Sequence, residues 1–172
     1  YSTVLTCANA TDGTPTNGLT IDPADDGADI VCTYTNTGLA DIHAAKTGGA
    51  VIGPDASGTY QVSYSVIVAN GGIAPTTYGR LVDTPDFDPN LTITGASWTT
   101  SGPGAPAGGS DGGSGPYILA PVGSAINSNV IHTYNVTVSF TFATYTPASA
   151  CAGPDTGLYN EIDLESGDAT PN

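Results

Sequence analysis

Alternation of apolar and polar residues dominates this chain, and helical periodicity is almost absent. The alternation is strongest from Tyr60 to Val68 and from Val130 to Phe142. In both runs apolar residues favour one parity, while Ser, Thr, Asn or Gln favours the other. Because successive side chains of a strand point to opposite faces, each run predicts a strand with one buried face. Shorter runs predict further strands from Leu91 to Trp98 and from Leu158 to Leu164.

Turn-forming residues separate these runs. Asn70-Gly71-Gly72 follows the first long run, and residues 101–115 are rich in Gly, Pro, Ser and Ala. The latter composition predicts a long exposed loop. Short strands joined in this way favour an all-β fold in which two antiparallel sheets pack over one core.

The first residues carry two more strand-like segments, Tyr1 to Cys7 and Ala28 to Asn36. Two strands are too few for an independent domain. We therefore predict a domain boundary between residues 38 and 39, with residues 39–172 forming the main sandwich. Residues 1–38 are then the tail of a preceding module, or a segment that donates a strand to this module or to a neighbouring molecule.

Charge narrows the classes of partner. The 172 residues include 16 acidic side chains and two basic ones, Lys46 and Arg80, for a formal net charge of -14. This balance argues against nucleic acid and anionic membranes, both of which attract clustered Lys and Arg. No apolar run approaches the ~20 residues that a membrane helix needs. Since no secretory signal pattern opens at Tyr1, we expect a processed part of a larger secreted protein.

The three cysteines fit an oxidising compartment. Cys7 and Cys32 lie in strand-like segments that a polar, Gly/Pro-rich stretch separates, so we predict a disulfide between them. Two free buried thiols are the alternative. Cys151 is then left over. The two histidines, His43 and His132, do not follow metal-site spacing, so neither a zinc site nor a Cys–His nucleophile has the companions it needs.

Several longer stretches together resemble a known kind of module. They are, in order, Ala45-Lys46-Thr47, GTYQVSYSVIVANGG, GRLVDTPDFDPNLTITGASW and GLYNEIDL. Residues 40–165 thereby resemble the conserved repeat module of unassigned function found in tandem on bacterial and archaeal surface proteins, which is related to the Ig-like stalk domains of Gram-positive adhesins. The opening segment, with VCTYTNT, looks like the final strand of another such module.

The resemblance implies an Ig-like β-sandwich in a secreted or cell-surface protein. It further implies a stalk, adhesive or filament-forming role, in which neighbouring copies or adjacent surface modules are the partners. Abundant Gly, Pro, Thr and Ser and the absence of Met are also typical of extracellular β-rich proteins.

The same resemblance implies a covalent crosslink. Stalk domains of this kind can form a spontaneous Lys–Asn isopeptide bond with the help of an acidic residue. By motif, Lys46 is the amine, Asn160 the acceptor and Asp83 the proton shuttle. Strand parity supports two of these positions, because Asn160 shares a face with Leu158, and Lys46 shares a face with Ile42.

The chemistry of such a bond is coherent. An ammonium group cannot attack an amide, but burial lowers the pKa of a lysine and favours the reactive neutral amine. Proximity then supplies much of the acceleration. Two alternatives remain open: a buried Lys46–Asp83 ion pair with Asn160 hydrogen bonding nearby, and a Lys46 that extends to solvent at the sheet edge.

Other candidate sites rest on single residue types. The acidic run from Asp83 to Asp88 offers Asp86 and Asp88 as calcium ligands, although its spacing is not that of an EF-hand. Three N-glycosylation sequons begin at Asn9, Asn90 and Asn135.

No phosphate-binding loop, GxSxG motif or catalytic triad appears, so we do not predict an enzyme beyond the self-crosslinking step. Tyrosines and Trp98 could line a glycan-binding face. A carbohydrate-binding module is therefore the alternative function, and core packing is the other interpretation of these aromatic residues.

Overall fold

The computed structural model describes residues 2–11, 13–14, 19–142 and 154–165. Within these ranges the regular structure is β-strand, apart from one turn of 3-10 helix at Pro23–Asp25. None of the described helical structure is long and apolar enough to cross a membrane. The chain divides into two compact units, unit 1 (Tyr1–Leu39) and unit 2 (Ala40–Asn172), and this division lies one residue from the predicted boundary.

Unit 1 contains a two-stranded antiparallel sheet of β1 (Ser2–Ala8) and β2 (Val31–Thr37). Cys7 lies directly opposite Cys32, and the two form the predicted disulfide. Every residue of β2 is exposed, and Cys7 is the one fully buried residue of β1. Because so little apolar surface is buried, the disulfide is the main constraint on this pair of strands.

A buried carboxylate organises the connection between β1 and β2. Asp25 accepts hydrogen bonds from Thr11 N at 2.7 Å, Thr11 Oγ1 at 2.8 Å and Asp22 N at 3.0 Å. The bonds from the Asp22 and Thr11 backbone, and then that from the Thr11 hydroxyl, lower the pKa of Asp25. This side chain therefore satisfies backbone donors that no strand pairing reaches.

Unit 2 is built on one large antiparallel sheet. Its six strands are β3 (Ile42–Thr47), β4 (Val51–Ile52), β5 (Tyr60–Asn70), β8 (Leu91–Ser101), β9 (Gly109–Asp111) and β12 (Val130–Phe142). The order across the sheet is β3-β5-β12-β8-β9, and β4 also pairs with β5. The two longest predicted strands, β5 and β12, thus lie side by side at its centre.

Two smaller antiparallel sheets complete unit 2. One has the order β10-β7-β13, with β7 at Leu81–Pro85, β10 at Tyr117–Ala120 and β13 at Asn160–Leu164. The other pairs β6 (Thr76–Tyr78) with β11 (Ser124–Ile126).

The predicted alternation is confirmed in the large sheet. Val66 and Val68 of β5 and Val136 and Val138 of β12 are fully buried, whereas intervening polar residues are exposed or half-buried. The buried side chains of the smaller sheets, such as that of Leu81, belong to the same core cluster. The prediction of an all-β protein with antiparallel sheets is therefore confirmed.

The loop predicted for residues 101–115 was only partly correct. Gly109–Asp111 forms β9, which pairs with β8 so that Gly109 lies opposite Trp98. A Cβ atom on Gly109 would lie 2.7 Å from the Trp98 ring, so glycine permits the close pairing. Gly-Ser-Asp has low β-propensity, and the strand forms because β8 offers an open edge.

Candidate crosslinking site

Lys46 lies near the end of β3, and its side chain points to the inner face of the large sheet. Ile42, Ala44 and Lys46 are half-buried while the residues between them are exposed, as the sequence parity predicts. In register, Lys46 lies opposite Val66 of β5. Only 18% of its side chain is exposed, which excludes the alternative of a lysine extended into solvent.

Asp83 lies in the middle of β7 and is fully buried. The sequence left its orientation open, because Leu81 and Val82 are both apolar. In the structure Leu81 and Asp83 point into the core and Val82 is half-buried on the other side. Asp83 Oδ1 accepts a hydrogen bond from Lys46 Nζ at 2.7 Å, which connects the three-stranded sheet to the large sheet.

Tyr64 is the site residue that the sequence did not indicate. It lies on the inner face of β5, and its hydroxyl donates to Asp83 Oδ2. Lys46 Nζ lies 4.1 Å from the centroid of the Tyr64 ring, within the range of a cation–π contact. The sequence parity of Tyr64 predicted only that it packs with the buried apolar residues of β5. The pairing of β3 with β5, which the sequence did not predict, brings it to the site: Tyr64 lies two residues from Val66, the cross-strand partner of Lys46, and such diagonal neighbours are within reach of each other.

Asn160 begins β13 and points inward, as its shared face with Ile162 predicts, while Glu161 is exposed. Asn160 Nδ2 donates to Tyr64 Oη at 2.8 Å. Asn160 Oδ1 is buried and has no hydrogen-bond partner within the described residues. The three residues implicated by the motifs are thus brought together, with Tyr64 as the link between Asp83 and Asn160.

Burial shifts the proton equilibria of the site. Removal from water lowers the pKa of Lys46, against the opposing effect of the Asp83 charge and hydrogen bond. The pKa of Tyr64 is raised far above its usual value, first by burial and then by the negative charge of Asp83. Tyr64 therefore stays a neutral hydrogen-bond donor, and Lys46 releases its proton more readily than a surface lysine.

A half-open cleft of about 470 Å³ adjoins these groups. Lys46, Tyr64 and Asn160 contribute to its wall, together with Gly49 and Phe87. The cleft gives the polar groups of the site access to solvent.

A glycine holds the end of β3 close to β5. A Cβ atom on Gly49 would lie 1.7 Å from the Ser63 carbonyl oxygen, whereas one on Gly48 would meet nothing within 4 Å. Ser63 N donates to Ala50 O at 3.3 Å, which fixes the chain between β3 and β4. The close approach at Gly49 therefore determines where the chain continues after Lys46.

The predicted calcium ligands, Asp86 and Asp88, make hydrogen bonds to neighbouring protein groups. Asp88 Oδ1 accepts from Asn90 N at 2.9 Å and from Asn90 Nδ2 at 2.8 Å. Asp86 contributes its backbone, with Asp86 N donating to Tyr159 O at 3.0 Å. No group of three or more His, Cys, Asp or Glu side chains suited to a metal occurs among the described residues. Calcium binding here stays a prediction.

The three sequon asparagines occupy different settings. Asn9 Nδ2 donates to Asp29 O at 2.9 Å, and Asn90 Nδ2 is bound to Asp88. Asn135 is exposed on the outer face of β12, where Ser65 Oγ donates to its Oδ1 at 3.2 Å. Cys151, the third cysteine, lies outside the described residues.

Where the structure describes the aromatic residues considered for glycan binding, most of them pack in the core. Tyr78, Tyr117 and Tyr134 are fully buried, and the Trp98 ring packs 6.4 Å from that of Tyr117. Tyr78 Oη lies 2.5 Å from Tyr134 Oη and 3.0 Å from His132 Nδ1. This packing supports the alternative interpretation of these residues as structural.

No protein-family model matches this chain, and neither a curated protein nor a solved structure matches it.

Proposed function

We propose that the chain is a structural module of an extracellular surface stalk, adhesin or filament, in which Lys46 and Asn160 form an intramolecular isopeptide bond. The observation that carries the proposal is the chain of contacts from Lys46 through Asp83 and Tyr64 to Asn160. The alternative left open by the sequence, a buried Lys46–Asp83 ion pair with Asn160 hydrogen bonding nearby, shares these contacts, and the intact mass of the chain distinguishes the two.

The bond requires no external reagent. Lys46 transfers a proton to Asp83, and the neutral amine attacks Asn160 Cγ. The Nζ–Cγ bond forms, the Cγ–Nδ2 bond breaks, and ammonia leaves. Of the two protons that Nζ loses, one completes the ammonia and the other ends on Asp83 or converts the ammonia to ammonium. No atom is oxidised or reduced.

The location of the bond suits a module under tension. β3 and β13 are the first and last described strands of unit 2, and they belong to different sheets. The bond would close a loop of roughly 110 residues, for which chain-entropy models of crosslinks give about 4–5 kcal/mol of stabilisation. Tension that enters before Lys46 and leaves after Asn160 would pass through the crosslink instead of separating the strands.

Other features support an extracellular stalk. The Cys7–Cys32 disulfide is compatible with an oxidising compartment. Antiparallel sheets around a single core are compatible with an Ig-like sandwich. In unit 1, Val4, Val31 and Tyr34 are more than half exposed, and such a strand pair offers apolar surface and backbone edges to a neighbouring copy or module.

Single-molecule stretching tests the mechanical role. In the native chain, residues between Lys46 and Asn160 should contribute no unfolding extension. In the Lys46→Ala variant the same segment should extend by about 40 nm, given about 3.6 Å per extended residue. An equal extension in both proteins would contradict the proposal. Asn90→Ala serves as a matched control, because Asn90 lies outside the site and its replacement should leave the native extension unchanged.

A further inference from the structure

A phenol lies between the carboxyl group and the amide of the proposed crosslink. Tyr64 Oη donates to Asp83 Oδ2 and accepts from Asn160 Nδ2 at 2.8 Å, while Asp83 Oδ1 lies 2.7 Å from Lys46 Nζ. Asp83 makes no direct hydrogen bond to Asn160 within the described structure. The continuous hydrogen-bonded path from the attacking nitrogen to the leaving nitrogen therefore runs through Tyr64.

We infer that Tyr64 is a catalytic residue of the crosslinking reaction and relays a proton from Asp83 to the nitrogen that leaves Asn160 as ammonia. The inference rests on the proposed isopeptide bond and specifies how its leaving group is protonated. Tyr64 qualifies as catalytic because its oxygen is in hydrogen-bond contact with the nitrogen whose bond to Cγ breaks.

The relay follows from the change in bonding at Asn160. A planar amide nitrogen has no available lone pair, so Nδ2 initially donates to Tyr64 Oη. When Lys46 Nζ has added to Cγ, the carbon is tetrahedral and Nδ2 becomes an amine that can accept a proton. Asp83 receives the Lys46 proton on Oδ1, and its carboxyl group turns so that this proton faces Tyr64 Oη. The Tyr64 hydroxyl hydrogen turns from Asp83 to Nδ2, and Asp83 then donates to Oη as Tyr64 transfers its own proton to Nδ2.

The relay leaves Tyr64 unchanged and balances the protons. Tyr64 receives one proton and releases one, the Cγ–Nδ2 bond breaks, and ammonia departs. The re-formed carbonyl group leaves a protonated amide nitrogen, which returns its extra proton to the Asp83 carboxylate. One proton from Lys46 therefore completes the ammonia and one remains on Asp83.

The surroundings suit a relay by phenol. Tyr64 is held on the inner face of β5, and its ring centroid lies 4.1 Å from Lys46 Nζ. Burial and the Asp83 charge oppose formation of a phenolate, so Tyr64 passes a proton on only as it receives another. The cleft beside Tyr64 and Asn160 gives the ammonia an exit.

The rate of crosslinking in freshly synthesised protein tests the inference. Full-length chain is made by cell-free translation, samples are quenched in denaturant, and the fraction that has lost ammonia is followed by intact mass. Tyr64→Phe keeps the ring and removes the relaying oxygen, so we expect a rate about 100-fold lower or more, given the usual 10²–10⁴-fold contribution of positioned proton transfer. Tyr60→Phe, on the same strand but outside the hydrogen-bonded path, should react at the native rate.

A measurement on the native chain separates relay from positioning and does not depend on the folding of a variant. In mixtures of H2O and D2O, a relay that moves more than one proton in the rate-limiting step predicts a curved dependence of rate on deuterium fraction. A linear dependence would overturn the relay, even if Tyr64→Phe were slow. An unchanged rate in folded Tyr64→Phe would also overturn it while leaving the crosslink standing. A native chain that never loses ammonia would overturn the crosslink itself, and the relay with it.

Discussion

Lys46 on β3 and Asp83 on β7 form an ion pair between two sheets of unit 2, with Nζ and Oδ1 2.7 Å apart. Asp83 is fully buried, and its second oxygen is occupied by the Tyr64 hydroxyl. A carboxylate in this position has little solvent to stabilise its charge, so each partner depends on the other.

Removal of the carboxylate should therefore destabilise the fold as well as the chemistry. In an Asn160→Ala background, which cannot crosslink, Asp83→Asn should lower the free energy of unfolding by about 3–5 kcal/mol, because Lys46 loses its buried partner. Denaturant titration measures the difference. Asp163→Asn, on the exposed side of β13, is the matched control and should change the free energy by less than about 0.5 kcal/mol. Equal effects of the two substitutions would contradict the importance of the pair.

Gly49 should be intolerant of even one added carbon. Gly49→Ala places Cβ against the Ser63 carbonyl oxygen, and a backbone atom cannot move aside as a flexible side chain can. We expect a loss of about 1–3 kcal/mol in the free energy of unfolding and slower crosslinking, because the end of β3 is displaced. Gly48→Ala, which meets nothing within 4 Å, should change stability by less than about 0.5 kcal/mol. A comparable loss at both positions would show that the close approach is not the cause.

Buried tyrosines should make the protein sensitive to alkali. Burial raises the pKa of Tyr78, Tyr134 and Tyr64 from 10.0, and that of Tyr117 to about 12. The unfolded chain therefore loses these protons first as the pH rises. Their stabilising contribution is complete below pH 10 and is lost progressively above it.

The sign of this effect can be tested at Tyr134. Chemical denaturation from pH 9 to pH 12 should show a falling free energy of unfolding in the parent chain. In Tyr134→Phe the decline should be shallower by up to about 1.4 kcal/mol per pH unit. The variant lacks one phenol whose pKa is higher in the folded chain than in the unfolded chain. The other titrating groups are common to both proteins. Parallel declines would contradict this assignment.

Unit 1 should depend on its disulfide. Cys7 and Cys32 are 25 residues apart in sequence. Replacement of both by serine removes a constraint worth about 3.5 kcal/mol in the chain-entropy model. We expect loss of hydrogen-exchange protection at the amides of β1 and β2, with Cys151→Ser in both parent and variant to prevent exchange of disulfides. Retained protection without the disulfide would show that other contacts hold the two strands together.

The sequence predicted those features that depend on strand parity. It correctly predicted the buried faces of β5 and β12, and the inward positions of Lys46 and Asn160. A strand with one buried face leaves a period of two in its sequence. β9 was not predicted, because its residues have little strand propensity of their own. This short strand forms by pairing with the open edge of β8.

The site itself was only partly predictable. Asp83 follows two apolar residues, so parity could not orient it, whereas pairing of β7 with strands on both sides did. Tyr64 was classified as a core residue because an inward tyrosine at that position fits the stripe. Its hydrogen bonds reach Asp83, 19 residues away, and Asn160, 96 residues away, on the other sheet. Contacts between sheets at such separations leave no local signal in the sequence.

Whether Lys46 and Asn160 are covalently joined can be decided by the intact mass of the purified, reduced and denatured chain. We predict a mass about 17 Da below that of the sequence, the mass of one ammonia, together with a branched proteolytic peptide that links Lys46 to Asn160. Lys46→Ala and Asn160→Ala should each show no loss, and Asn90→Ala should retain it. A native chain with the full mass of its sequence would contradict the isopeptide bond.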